Sequence, residues 1–170
     1  MRIAITALVI CITALAASAQ SALKLVPRKY SEVEIAFGKR SVIFNLDDAL
    51  TGTNGSLPGN PPHKYRTLFT AERDGLVYLV ANVQSSSPIT SPMAPCGGDS
   101  PQAILWIRAD KTLKNRKIQS EIYASCSYNY YDSKVKQSKN GIVVTYGGEK
   151  KKRLEYDNVN PDKGLMISVQ

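Results

Sequence analysis

The sequence predicts an all-β fold: a single antiparallel β domain, built as a sandwich, a barrel or an incomplete propeller-like sheet, with long loops and one disulfide. Three observations carry this. Short apolar runs recur with turn signals between them at a spacing of roughly ten residues, as in antiparallel β architectures. Two of those runs flank Asp74-Gly75 and two flank Asn140-Gly141, the dipeptides that suit two-residue hairpin turns. No window of about eleven residues carries the 3.6-residue apolar stripe of a surface helix.

The elements follow in order. A lone Arg2 precedes an apolar run from Ile3 to Ala17, and Ala17-Ser18-Ala19 then offers small residues for signal peptidase. The chain is expected to lose residues 1–19 and fold as one secreted β-rich domain, 20–170. The apolar run is short of the roughly 20 residues that a membrane span needs, so no transmembrane anchor is expected. "LVIC" at Cys11 lacks the small residue that precedes a lipidated cysteine, which argues against a lipoprotein.

Tyr30 to Phe37 ("YSEVEIAF") sets Val33, Ile35 and Phe37 against Glu32 and Glu34, the two-residue period of a half-buried strand. "RSVIFNL" from Arg40 gives a second, more apolar one. Residues 47–63, dense in Gly, Pro, Asn and Ser, read as a long loop holding the single histidine, His63. Tyr65–Arg73 and Leu76–Val83 form a hairpin across Asp74-Gly75, and a second breaker-rich loop spans 84–101. Ala103–Ala109 and Lys117–Cys126 form the next hairpin; Lys134–Lys139 and Ile142–Tyr146 form a third across Asn140-Gly141. "KKKRLEY" and "LMISV" complete the chain.

Once the leader is gone, two cysteines remain, Cys96 and Cys126. An even pair in an oxidising compartment is most simply one disulfide, closing a loop of around 30 residues and stabilising by about 3–4 kcal/mol in the chain-entropy account. The competing reading makes Cys96, set in "PMAPCGGDSP", a nucleophile with Gly97, Gly98 and Asp99 exposing backbone amides. That chemistry wants a histidine base, and His63 stands in a proline-rich stretch.

The formal net charge of +8 favours acidic partners without choosing among them. No G-x-S-x-G elbow is present, and one histidine rules out a two-histidine ribonuclease. A carboxylate-only hydrolase stays open, although Glu32, Glu34, Glu121 and Glu155 alternate with apolar residues as on solvated strand faces. One histidine and two cysteines cannot close a zinc site, and "NVNPDKG" lacks the glycine and closing glutamate of a calcium loop. No metal or cofactor is expected. Asn54-Gly55-Ser56 fits a glycosylation acceptor only in a eukaryotic host.

Two surface features point to a partner. "CSYNYYDSK" places Tyr128, Tyr130 and Tyr131 beside Cys126, and tyrosine supplies contact area at low entropic cost. Lys150, Lys151, Lys152 and Arg153 form a basic run, with Lys134, Lys136 and Lys139 expected on a neighbouring hairpin. Such a run commonly guards a strand edge, and it can also steer an acidic protein. It has no interleaved aromatics, so nucleic acid is not expected.

From Cys96 to Cys126 the chain resembles small exported bacterial proteins with a C-G-x-G turn, a following apolar strand and a second S-C some thirty residues on. Asp99 departs from that pattern, where glycine is expected. The resemblance implies a bacterial envelope setting and a Cys96–Cys126 bridge, and no activity.

The expectation is therefore a periplasmic or secreted, non-catalytic binding protein: an inhibitor or immunity protein that neutralises an acidic toxin or cell-wall hydrolase by protein–protein binding. Its contact candidates are Gly97, Gly98, Asp99, Tyr128, Tyr130, Tyr131 and Lys150 to Arg153. A small envelope hydrolase and a polysaccharide- or small-molecule-binding module are the alternatives. The sequence leaves the oligomeric state open.

Overall fold

The computed structural model describes residues 22–29, 31–52, 55–56, 60–86, 100–130, 132–148 and 150–170. The fold is all-β and antiparallel. A first meander runs through β1 (Lys24–Pro27), β2 (Glu32–Phe37) and β3 (Arg40–Asn45). A single helical turn, α1 (Leu46–Ala49), and the short pair β4 (Thr51–Gly52) and β5 (Gly55–Ser56) lead to the central meander. That sheet is β6 (Asn60–Arg73), β7 (Leu76–Ser86), β8 (Gln102–Asp110) and β9 (Arg116–Ala124), in chain order. After a 3-10 turn, η1 (Cys126–Tyr128), a third meander comprises β10 (Lys134–Ser138), β11 (Gly141–Tyr146), β12 (Lys152–Asp157) and β13 (Met166–Val169), with η2 (Pro161–Lys163) before its last strand.

The central sheet is apolar on both faces, and each face builds its own core. Along β7, Val77, Leu79, Ala81 and Val83 point one way and meet Val33, Ile35, Leu46 and Leu50. Tyr78 and Val80 point the other way, beside Ile104 and Trp106, and meet Val144, Tyr146, Leu154 and Tyr156 of the third sheet. The result is three layers with the longest strands in the middle. This explains why "LVYLVANV" and "AILWIRA" are nearly continuous apolar runs, since a strand covered on both faces cannot alternate with water-facing residues.

Turn chemistry fixes the register. Asp74 and Gly75 both take positive φ, 51° and 77°, as the two-residue loop between β6 and β7 requires. At Gly141 a Cβ would stand 2.1 Å from the Tyr156 carbonyl oxygen, so only glycine lets β11 lie this close to β12. Asp110 organises the β8–β9 turn: its carboxylate accepts from Thr112 Oγ1 (2.7 Å), the Thr112 amide (2.9 Å) and Asn115 Nδ2 (2.7 Å).

Several expectations need correction. The supposed loop 47–63 contains α1, β4, β5 and the start of β6, and His63 is a buried strand residue rather than a mobile one. β9 stops at Ala124, so Cys126 belongs to η1. Tyr128 lies in that turn, and its ring neighbours that of Tyr130 with centroids 6.1 Å apart. Two of the four glutamates expected on solvated faces are buried. Glu34 is covered by an ion pair with Arg28; hydrogen bonds from Ser41 and Arg28 hold its carboxyl below the ordinary range. Glu121 is fully buried between the central and third sheets, where it accepts a 2.6 Å hydrogen bond from Tyr146. None of these donors is the residue directly opposite in the β2–β3 or β8–β9 ladder, which is Ile43 for Glu34 and Ile104 for Glu121, so strand periodicity alone does not reveal them.

Candidate functional site

Of the described residues singled out in the sequence, Tyr130, Lys134, Lys136 and Lys150 to Arg153 gather at one corner of the third sheet, whereas Lys139 lies in the turn at the far end of β10. β11 pairs with β10 on one side and β12 on the other, so Lys134, Thr145, Arg153 and Ser168 fall in one row across its outer face. The next row holds Lys136, Val143, Glu155 and Met166. Lys134 and Lys136 are exposed; Arg153 forms an ion pair with Glu155. Lys150 and Lys151, also exposed, stand in the turn entering β12.

The turn between β11 and β12 sits against η1. A Cβ on Gly148 would come within 3.3 Å of the Asn129 carbonyl oxygen, so glycine there allows the approach. Asn129 itself ends η1 in the left-handed conformation, φ 57°. The reversal is closed by two backbone bonds between Ser125 and Tyr130, 2.9 and 3.3 Å.

Lys152 is the hinge of this corner. Its Nζ lies 5.6 Å from the Tyr130 ring centroid and 6.0 Å from that of Tyr146, within reach of both π faces. The same ammonium donates to the Tyr130 hydroxyl at 3.2 Å. Tyr130 meets Tyr146 edge-on, with centroids 5.2 Å apart and planes at 81°. Tyr146 in turn donates to Glu121, and burial, reinforced by that carboxylate, pushes its phenol far above the ordinary range. Lys152 is thus half-buried and structural, while Lys134, Lys136, Lys150 and Lys151 are the cations free to face a partner from solvent.

Cys96, Gly97, Gly98, Asp99 and Tyr131 lie outside the described residues. Cys126 is placed at the start of η1, at the foot of the tyrosine corner.

A second constellation was missed by reading the sequence. Register slips between Asn60 and Lys64 on β6 and bring His63 opposite the end of β7. There His63 Nε2 lies 2.8 Å from Asp47 Oδ1 on α1, and Nδ1 lies 2.7 Å from Ser85 Oγ. Asp47 can only accept, so Nε2 is the donor, and Nδ1 is in hydrogen-bond reach of the serine hydroxyl. Burial pushes the Asp47 carboxyl up, but hydrogen bonds from Ser31 and His63 outweigh it and hold the group below its ordinary range. The side chain of His63 is 2% exposed and Ser85 as a residue is 2% exposed. The only sequence signal was the coincidence of one histidine with a strand-length run of alternating residues after "NPP".

Among the described residues no cluster of three or more His, Cys, Asp or Glu could hold a metal, and no helix is long and apolar enough to cross a membrane. No protein-family model, curated protein or solved structure matches the chain.

Proposed function

We propose that this chain is a non-catalytic, envelope-located binding protein, an inhibitor or immunity protein that docks on an acidic enzyme or toxin through the corner built by η1, β10 and β12. The observation that supports this most is the convergence of Lys134, Lys136, Lys150 and Lys151 on a surface braced by Tyr130, Tyr146 and Lys152. Tyrosines locked by packing lose little entropy on docking, and solvent-facing cations around them raise the encounter rate with an acidic surface. In this reading a Cys96–Cys126 bridge ties the preceding loop to the base of the corner.

Affinity capture with the full chain from envelope extracts of its own and competing strains tests the proposal. One stoichiometric enzyme or toxin, retained in low salt and released as salt rises, is the expected result. Reversing Lys134, Lys150 and Lys151 to glutamate separates this corner from the rest of the surface. Unchanged partner affinity in that variant removes the corner from the interface.

A second reading rests on the Asp47–His63–Ser85 chain, which has the residue types of a serine-hydrolase relay with the ring nitrogens exchanged, the carboxylate holding Nε2 and the serine Nδ1. Against it stands the burial of the serine. A serine-directed phosphonylating reagent decides: covalent labelling at Ser85, absent in Ser85→Ala, favours a hydrolase, and inertness assigns the relay to structure.

A further inference from the structure

We propose that the cleft at the open end of the β6–β7–β8 face binds a monosaccharide-sized ligand carrying one anionic group. The apolar face that packs on the third sheet does not continue to the end of the strands. Along β7 the same-side positions change from Tyr78 and Val80 to Asn82 and Gln84. Across the ladder, Arg66 faces Asn82, while Lys64 faces Gln84 and Gln84 faces Gln102. A cleft of about 280 Å³ opens over Lys64, Arg66, Asn82 and Gln84.

Its floor is already held in place. Asn82 Nδ2 donates to Gln102 Oε1 at 3.1 Å. The Tyr123 hydroxyl donates to that same oxygen at 2.6 Å and lies 2.9 Å from Asn82 Oδ1. Tyr123 reaches this position through a bulge: Ala103 pairs with Ile122 and Gln102 with Ala124, leaving Tyr123 the extra residue. Bulges re-aim side chains and are enriched beside functional sites. A second one, between Thr67 and Phe69 on β6, adjoins Arg66.

Among the described residues, neither Lys64 nor Arg66 forms an ion pair. The carboxylate in register on this face, Glu121 opposite Ile104, is hydrogen-bonded to Tyr146 instead. Burial pushes the Tyr123 phenol up to about 12, so it stays a neutral hydroxyl while the Arg66 charge nearby remains uncompensated. Two unpaired cations suit a phosphate or carboxylate, and fixed amides suit the vicinal hydroxyls of a sugar. The cleft uses none of the residues of the proposed docking corner and stands or falls independently of it.

The test is an amide NMR titration of the full chain, in low salt, with glucose 6-phosphate, glucuronate, glucose and inorganic phosphate as separate probes. Expected are saturable shifts confined to 64–66, 82–84, 102 and 123 with at least one anionic sugar, at a Kd of about 1 mM or tighter. Comparing the two anionic sugars distinguishes phosphate from carboxylate. In the K64Q/R66Q variant, whose exposed side chains can change without disturbing the core, affinity falls by roughly tenfold or more. Tyr123→Phe keeps both cations but unlocks the amides, and gives a smaller loss. Absence of saturable shifts at these residues overturns the proposal, as does undiminished binding in K64Q/R66Q. Inorganic phosphate binding as tightly as glucose 6-phosphate overturns the sugar assignment and leaves a bare anion site.

Discussion

The hydroxyl of Tyr146, on β11, donates to the carboxylate of Glu121, on β9, across 2.6 Å of the interior between two sheets, and both residues are fully buried. A buried carboxylate losing one donor keeps its desolvation cost with less to offset it. Tyr146→Phe should therefore destabilise the fold by about 1–3 kcal/mol in urea unfolding. Combining it with Glu121→Met should cost less than the sum of the two single changes, by about 0.5–3 kcal/mol. Strict additivity would show that the pair does not act as a unit.

The His63 relay gives a second prediction. His63→Ala opens a cavity and strips Ser85 and Asp47 of a shared partner, so a loss of about 2–4 kcal/mol is expected. Ser85→Ala removes one hydroxyl and should cost about 1 kcal/mol. Equal, negligible effects from both variants in denaturant melts would contradict the buried network.

Acid should loosen the β8–β9 turn in a defined window. Hydrogen bonding, led by Thr112, holds the Asp110 carboxyl at about 2, below its ordinary 3.8. A folded-state value below the unfolded one favours the folded state above pH 3.8, and the benefit fades as pH falls towards 2. Asp110→Asn should lower the thermal midpoint at neutral pH and narrow the gap to the parent chain as the pH drops through that window. A gap independent of pH would mean that the charge is irrelevant there.

Alkali acts in the opposite sense. Burial pushes the phenols of Tyr78, Tyr123 and Tyr156 up to about 12, and that of Tyr146 higher still. Raised folded-state values stabilise below the unfolded value of 10 and cease to do so as pH climbs towards 12. Stability should decline from about pH 10 upward. Phenolate absorbance should show these four tyrosines ionising only together with unfolding. Smooth ionisation of all tyrosines near pH 10, with the fold intact, would contradict the burial.

At the docking corner, Lys152→Ala removes an ammonium shared by two rings and should cost about 0.5–1 kcal/mol of stability. Lys150→Glu with Lys151→Glu should leave the melting temperature unchanged and slow association with an acidic partner. Thermal melts and association rates separate the structural lysine from the steering ones. The prediction fails if the two variants behave alike.

Much of this architecture was written in local chemistry. Asp74-Gly75 announces its hairpin because positive φ has few takers among side chains, whereas Asn140-Gly141 marks the second hairpin one residue late: the turn is Lys139-Asn140, and Gly141 already pairs with Ser138. The basic run and the 134–139 hairpin do meet on one sheet, since consecutive hairpins leave few other arrangements. The layering was hidden: a run such as Leu76–Val83 states that its strand is covered, and not by what. The partners of Glu34, Glu121 and His63 were hidden for a related reason. Glu34 depends on Arg28 in the turn before its strand, Glu121 on Tyr146 of another sheet and His63 on Asp47 of α1, contacts that strand periodicity does not encode. The polar end of β7 was legible in part, as Asn82 and Gln84 break an apolar face, but the bulge that brings Tyr123 to Asn82 arises only from pairing.

The doubly covered middle sheet has a consequence for assembly of the chain. Neither flanking meander can be left undocked without exposing a row of large side chains: Tyr78 and Trp106 on one side, Leu79, Leu105 and Ile107 on the other. A half-assembled chain is consequently adhesive, and its most tempting partner is another copy in the same condition. The two docking events are linked through one shared slab, so both apolar faces are covered only when both are complete. A lesion far from the middle, at β1 or β13, would then be felt as aggregation during folding before any change in the middle sheet itself.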